Sequence, residues 1–189
     1  MSTLQNAIRV EALFSDIDVH AKQFAAESKL TCPVGCGRCC ENPDIETTVI
    51  DMLPLAVHLK DKGRLDEVAM SLPHTLTDAC VFFEKHAGEG GGRCTVYRYR
   101  PSICRLFGFA ASRDKNQNPI LAACKVHKQS QPEVVENAKR EVEARRLNPP
   151  LFSTYAGRLD DIDPVLANRH YPINVALLLA IEKIALLPS

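Results

Sequence analysis

The chain has no excess of charge of either sign. Its 189 residues contain 23 Lys and Arg against 23 Asp and Glu, which gives a formal net charge of zero and a pI near 7.0. A protein that binds nucleic acid or an anionic membrane through its overall charge needs a clear positive balance. We therefore expect that the protein binds neither nucleic acid nor a membrane. A charged ligand would have to bind to a local group of residues.

Long apolar runs are also missing. The most apolar stretch, Ile173 to Leu187, contains Glu182 and Lys183 and is too short and too charged for a membrane helix. The first residues, Met-Ser-Thr-Leu-Gln-Asn-Ala-Ile-Arg, include no apolar core and no cleavage site of a secretory signal. We expect a cytoplasmic protein without membrane contact, in which the apolar stretch forms a buried helix.

Familiar catalytic patterns are absent from the sequence. It contains no Gly-x-Ser-x-Gly motif, no phosphate-binding loop, no internal repeat and no sustained heptad pattern. Asp160, Asp161 and Asp163 are interpreted as a turn and an N-cap before Pro164 rather than as a hydrolytic site. Whether the protein is an enzyme stays open.

Cysteine is the residue that the chain has in quantity. Four of its eight cysteines fall within Cys32-Pro-Val-Gly-Cys-Gly-Arg-Cys-Cys40. Cytosolic thiols stay reduced, and eight cysteines are fewer than a disulfide scaffold of this length would contain, so disulfides are the less favoured interpretation. Thiolates bind zinc and iron-sulfur iron, and Gly35 and Gly37 allow the positive φ angles that wrap sulfurs around one centre. The pattern predicts a metal site.

The spacing of the cysteines suggests more than one centre. Cys32, Cys36 and Cys39 can converge, whereas adjacent side chains in an extended segment diverge. Cys40 should therefore serve a second centre, bridge two metal ions or remain an unliganded thiol. The remaining cysteines supply enough sulfurs for two four-sulfur sites, with the pairing left open. The candidate ligands are Cys32, Cys36, Cys39, Cys40, Cys80, Cys94, Cys104 and Cys124.

Other polar residues lie close to the cysteines in sequence. His86 and His127 are possible nitrogen ligands, although a solvated histidine is the expected state of each. Tyr97 and Arg100 are candidates for substrate contact or for orienting the cysteine segments. The nearby arginines either screen the charge of the thiolates or are ordinary surface charges: Arg38, Arg93, Arg98, Arg100 and Arg105.

Helical periodicity covers most of the chain outside the cysteine segments. Leu4 to Phe24 shows the spacing of an amphipathic helix. Asp51 is expected to cap a second helix that ends before Gly63. This second helix is expected over Met52–Lys62, and further helices are expected over these segments: Leu65–Leu72, Ser102–Phe107 after Pro101, Pro132–Arg146, Leu151–Leu159, and the stretch opened by Pro172.

Two short strands are expected in the middle of the chain. Val81–Phe83 and Cys94–Tyr99 flank the loop Gly88–Gly92, and a hairpin there would bring Cys80 near Cys94. The sequence thus predicts a mainly α protein. We expect a single helical domain over residues 1–189, built around an irregular cysteine-rich metal-binding centre at about 32–124, with a small β-hairpin and helical packing segments at 1–30 and 130–189.

The cysteine-bearing segments together resemble a known family. They are Cys32 to Cys40, Cys80-Val-Phe-Phe, Cys94-Thr-Val-Tyr-Arg-Tyr-Arg-Pro-Ser-Ile-Cys104-Arg105, and Cys124. This pattern is similar to that of the YkgJ-type cysteine-cluster family, which implies a zinc- or iron-chelating domain over roughly residues 32–124. Related patterns occur in flagellin lysine N-methylases, which are thought to hold an iron-sulfur cluster. After Arg105 the family often continues with an aromatic residue and proline, whereas this chain continues with Leu106-Phe107-Gly108.

Three functions follow from these observations. The chain could hold an iron-sulfur cluster for redox chemistry or for cluster-assisted methylation of protein. It could be a zinc-stabilised interaction module, since closed cysteine sites hold folds together. It could also carry metal between partners. The 32, 36, 39 spacing resembles that of radical SAM enzymes too, but the alternating strands and helices of their barrel are missing.

Overall fold

The computed structural model describes residues 2–74, 79–86 and 91–187. Its first element is the long helix α1 (Thr3–Ser28). The Ser2 hydroxyl accepts a hydrogen bond from the N–H of Gln5, and the Gln5 side chain accepts one from the N–H of Ser2. Lys29 ends the helix at a φ of 64°. These caps lie outside the apolar pattern, which is why α1 extends past both ends of the predicted helix.

The remaining helices of the described ranges agree closely with prediction. The segments expected after Leu65, Ser102, Pro132, Leu151 and Pro172 are all helical, whereas α5 was not predicted. The helices are α2 (Val49–Asp61), α3 (Leu65–Ser71), α4 (Ser102–Leu106), α5 (Lys125–Ser130), α6 (Pro132–Glu143), α7 (Phe152–Asp160), α8 (Pro164–Ala167) and α9 (Ile173–Ala185), with 3₁₀ turns at Leu72–His74 and Tyr97–Tyr99.

Helix α2 begins earlier than predicted. Thr48 is its N-cap, and its hydroxyl accepts the N–H of Asp51 at 3.4 Å. The prediction that Asp51 caps the helix was wrong, because Thr48-x-x-Asp51 provides an earlier start and places Asp51 inside the first turn. The helix ends as expected, and Gly63 follows it with a φ of 65°.

The larger hydrophobic core forms where α2 packs between α1 and α9. Ile17 of α1, Leu53 of α2 and Leu177 of α9 are almost completely excluded from solvent. A smaller core joins the end of α1 to α6 through Phe24, Val135 and their neighbours. Cys80 and Cys104 pack against the larger core, whereas Cys124 directly follows Ala123 of the smaller one. The cysteine segments therefore adjoin both cores.

Short antiparallel strand pairs complete the described fold. The predicted hairpin is present as β2 (Phe83–Lys85) with β3 (Gly92–Cys94), in which Phe83 pairs with Cys94, but both strands lie nearer to the connecting loop than predicted and share only Phe83 and Cys94 with the predicted strands. Residues 88–90 of its predicted glycine loop lie outside the described residues. The second strand does not reach Tyr99, because the N–H of Tyr99 bonds to the Val96 carbonyl and curls the chain into a 3₁₀ turn.

Two further strand pairs were not predicted. The first joins β1 (Glu46–Thr48) to β6 (His170–Pro172), and the second joins β4 (Ala111–Arg113) to β5 (Pro119–Leu121). Within the described part of the chain, no helix is both long and apolar enough to span a bilayer.

Candidate metal centre

The segment from Cys32 to Cys40, called the cysteine loop below, folds as two tight turns. The Cys36 N–H donates to the Pro33 carbonyl at 3.2 Å, and the Cys40 N–H donates to the Gly37 carbonyl at 2.8 Å. Gly35 and Gly37 have φ angles of 68° and 55°, as their positions in the sequence predicted. The two turns keep four sulfurs within one short length of chain.

Glycines on both sides allow the cysteine loop to lie against the β2–β3 hairpin. The Gly92 N–H donates to the Gly35 carbonyl at 3.2 Å. A Cβ atom at Gly37 would lie 2.6 Å from the carbonyl oxygen of Gly92, and one at Gly92 would lie 2.3 Å from the ring of Phe83. This backbone contact holds the loop beside Cys94, the last residue of β3.

Four thiols lie together at the surface, and we call them the outer thiol group: Cys32, Cys36, Cys39 and Cys124. They line an open cavity of about 480 Å³. Cys32 is exposed and the other three are half-buried. Although the Cys32 residue is exposed as a whole, crowding around its sulfur raises its pKa to about 11, and the neighbouring thiols add to the rise. Cys124, distant in sequence, is thus within electrostatic range of the cysteine loop.

The other four thiols form an inner thiol group: Cys40, Cys80, Cys94 and Cys104. Together with Cys39 they line a cavity of only about 30 Å³. Its remaining walls include the core side chains of Met52, Leu55 and Phe82. Burial raises the pKa of Cys80 to about 11 and also raises the pKa of Cys104. Cys80 and Cys104 are therefore the desolvated members of the inner group, Cys40 and Cys94 are partly exposed, and four separate segments of chain contribute to the group.

Cys39 and Cys40 join the two groups, and their sulfurs lie 3.9 Å apart. The expectation that these side chains diverge does not hold, because the pair lies in a turn rather than in an extended segment. Sulfurs bound to one tetrahedral zinc ion at roughly 2.3 Å are about 3.8 Å apart. The hydrogen bond between the two sulfurs is the main cause that lowers the pKa of Cys39 to about 6 and raises the pKa of Cys40.

Arg100 is the arginine beside the inner thiol group. It lines the inner cavity, its Nη1 donates to the Cys104 carbonyl at 3.4 Å, and its guanidinium lies 3.5 Å from the centre of the Tyr97 ring. Its positive charge opposes the rise in the pKa of Cys94 that burial causes. Tyr97 is 64% exposed and supports Arg100 from the solvent side.

The other arginines near the cysteines have partners of their own. Arg38 pairs with Glu41 at the rim of the outer cavity, and Arg93 pairs with Glu84 on the hairpin surface. Arg105 is buried, and its guanidinium bonds to the Asp18 carboxylate and to the carbonyl oxygens of Arg98 and Arg100. Arg105 therefore ties the segment around Cys104 to α1 rather than screening the thiols.

The buried carboxylate of Asp51 positions the helix of Cys104, a role that was not predicted. Asp51 accepts the N–H of Ser102 at 3.1 Å, the Ser102 hydroxyl at 2.6 Å and the Thr47 hydroxyl at 3.0 Å. Pro101, at the N-cap of α4, offers no side-chain cap, so Asp51 of α2 takes that role. Burial raises the pKa of Asp51, against the effect of these donors.

The two candidate histidines differ in environment. His86 is exposed, as expected. His127 is only 1% exposed, so the prediction of a solvated side chain was wrong. Its ring packs edge-on against Phe109, next to Gly108 and Cys124, and within the described residues neither ring nitrogen has a hydrogen-bond partner. Its backbone N–H donates to the Cys124 sulfur at 3.3 Å.

Asp163, directly before Pro164, has the structural role of an N-cap, as predicted. The Asp163 carboxylate accepts the N–H groups of Val165 and Leu166 and caps α8. Its other oxygen accepts the Asn6 side-chain amide of α1 at 2.9 Å.

A comparison with family models matches residues 31–150 to the CxxCxxCC family, described as "Putative zinc- or iron-chelating domain". The chain belongs to this family. The match confirms the YkgJ-type resemblance and reaches beyond it through α5 and α6. No curated protein and no solved structure matches the chain.

One residue more than the CxxCxxCC pattern separates the first two cysteines of this chain. Pro33, Val34 and Gly35 stand between Cys32 and Cys36. The turn from Pro33 to Cys36 takes up the additional residue, with Gly35 in its left-handed conformation.

The donors of both groups are the sulfur ligands that zinc and iron prefer. Among the described residues, no three Cys, His, Asp or Glu side chains already stand in coordinating geometry. The thiols of each group are neighbours whose sulfurs would have to move closer to hold one ion. The donor chemistry therefore fits a zinc- or iron-chelating member of the CxxCxxCC family.

Proposed function

We propose that this protein binds zinc or iron through all eight cysteines, in two adjacent centres. One centre uses the outer thiol group and the other uses the inner thiol group. The observation that carries the proposal is the gathering of thiols from five separate segments around two cavities that meet at Cys39 and Cys40. Ordinary reduced cysteines of a core would not need to lie side by side.

The polar surroundings of the thiols support the same conclusion. Four thiolates around Zn²⁺ carry a formal charge near −2, which must be screened or hydrogen-bonded. Arg100 supplies positive charge at the inner group, and the N–H of His127 donates to the sulfur of Cys124 at the outer group. The buried His127 ring is a further nitrogen donor beside the outer group.

Zinc and iron would give the protein different activities. A closed zinc centre would crosslink the four segments of the inner group and stabilise an interaction module. An iron-sulfur cluster would supply electron transfer or support methylation of protein. The enclosure of the inner group by core side chains favours a structural role for that centre.

Metal analysis of anaerobically purified protein tests the proposal. We expect about two zinc ions per chain in a colourless protein, or iron with acid-labile sulfide and a visible absorption band. Cys104→Ser should remove the inner metal alone, and Cys124→Ser the outer metal alone. Ala122→Ser, at an exposed position near Cys124, is the control and should keep the full metal content.

Two results would overturn the proposal. One is a folded protein that binds no zinc and no iron under reducing conditions. The other is full metal content in both cysteine variants, which would show that the distant thiols are not ligands.

A further inference from the structure

We infer that the two centres differ in function: the inner thiol group holds a permanent structural metal, and the outer thiol group is an exchange site that passes its metal to small thiol donors. This inference rests on the proposed function and assigns separate roles to its two centres.

The outer group is open to other molecules. Its cavity of about 480 Å³ is large enough for a small ligand, and Cys32 is exposed at its edge. Every residue from Thr31 to Gly35 is exposed as well. An incoming donor can therefore reach the Cys32 side of the centre without displacing core residues.

The segment around Cys32 is anchored on both sides. The Gln131 side chain accepts the N–H and hydroxyl of Thr31 and donates to the Thr31 carbonyl at 2.6 Å. On the other side of Cys32, the Gly35 carbonyl accepts a hydrogen bond from the N–H of Gly92 in β3. If the bond between the metal and the Cys32 sulfur breaks, these hydrogen bonds would therefore keep the backbone of the cysteine loop in place.

The inner thiol group is less accessible to other molecules than the outer thiol group. Its cavity of about 30 Å³ has room for a water molecule or two but for no larger ligand. Buried side chains of α2 form one wall, and Cys80 and Cys104 pack against the larger core. Cys40 and Cys94 are partly exposed, but a donor could reach Cys80 and Cys104 only after the core opens, so complete release of the inner metal requires local unfolding.

The residues that line the outer cavity indicate which class of small thiol would take the metal. Phe107 and Phe109 line its walls, and Lys125 is exposed at its rim. This lining suits a small thiol that carries a carboxylate, such as glutathione. The exchange begins when the bond between Cys32 and the metal breaks, the Cys32 thiolate takes a proton from solvent, and the sulfur of an incoming thiolate bonds to the metal in its place. The same replacement by further thiolates at Cys36, Cys39 and Cys124 completes the transfer.

Stopped-flow release of zinc from the loaded full-length protein to a colorimetric chelator tests this inference. We expect two phases of equal amplitude with rates at least about 100-fold apart. Glutathione should accelerate only the fast phase. Cys32→Ser should remove the fast phase alone, and Cys80→Ser should remove the slow phase together with part of the helical circular dichroism signal. Ala122→Ser should retain both phases.

If the protein is loaded with iron instead of zinc, the release of iron to an iron-specific chelator is measured in the same way and with the same variants. A single release phase, or a fast phase that persists at full amplitude in Cys32→Ser, would overturn the inference while leaving metal binding intact. Failure of the unmodified chain to retain any metal would instead overturn the proposed function.

Discussion

Replacement of the buried Asp51 by alanine is the change from which we expect the largest combined effect on fold and metal content. The carboxylate accepts three hydrogen bonds, two from Ser102 and one from Thr47, and all three donors are buried. Asp51→Ala leaves these donors without a partner at about 1 kcal/mol each, so the free energy of unfolding should fall by about 3 kcal/mol. That loss is roughly a 150-fold decrease in the folding equilibrium constant.

The same change should reach the inner thiol group, because Asp51 caps the helix that carries Cys104. Urea unfolding followed by circular dichroism at a fixed zinc concentration measures the stability, and metal analysis measures the content of the inner group. Asp51→Asn is the matched control. It keeps an oxygen for Ser102 and should cost about 1 kcal/mol, with little loss of metal.

The pH dependence of the two proteins provides a separate check. Burial raises the pKa of Asp51 above its ordinary value of 3.8, so the folded state binds this proton more tightly than the unfolded state. The unfolding free energy of the unmodified protein should therefore fall, relative to Asp51→Asn, as pH rises from about 3.8 through the raised pKa. A stability loss below 1 kcal/mol in Asp51→Ala, with unchanged zinc content, would refute the role assigned to this carboxylate.

Three further changes test the surroundings of the thiols. Gly92→Ala would place a Cβ 2.3 Å from a ring carbon and should cost about 2 kcal/mol in thermal unfolding, whereas Gly157→Ala, with open space around it, should gain up to about 1 kcal/mol. Arg100→Gln should weaken metal binding by the inner group roughly tenfold in chelator competition, whereas Arg93→Gln, which loses only an exposed ion pair, should not. Arg105→Lys should lose about 2 kcal/mol of unfolding free energy because an ammonium cannot replace the planar guanidinium, whereas Arg93→Lys should change it by less than about 0.5 kcal/mol. Equal effects in a variant and its control would contradict each expectation.

The long helices could be predicted because their signal lies within one stretch of chain. The apolar spacing of Leu4–Phe24 and the N-cap of α8 before Pro164 are local patterns, and the structure confirms them. The pairing of β1 with β6 could not be predicted, since three-residue strands more than 120 residues apart show no alternation that would identify them. The arrangement as a single domain and the cytoplasmic location stay predictions.

The sequence identified the cysteines but not their division into two groups. The positive φ angles of Gly35 and Gly37 followed from residue type alone. The proximity of Cys39 to Cys40 did not, because it depends on a turn closed by the Gly37 carbonyl. The role of Asp51 was missed for a related reason: its partner Ser102 lies 51 residues away, so no local pattern connects the two.

The place of α9 in the fold has a consequence for how a newly made chain would mature. Ile173, the first residue of α9, lines the inner cavity, and the rest of that helix covers α2. During translation every thiol leaves the ribosome before this helix does. The inner cavity therefore lacks a wall until α9 has been synthesised, and that interval is when an ion could enter it most easily.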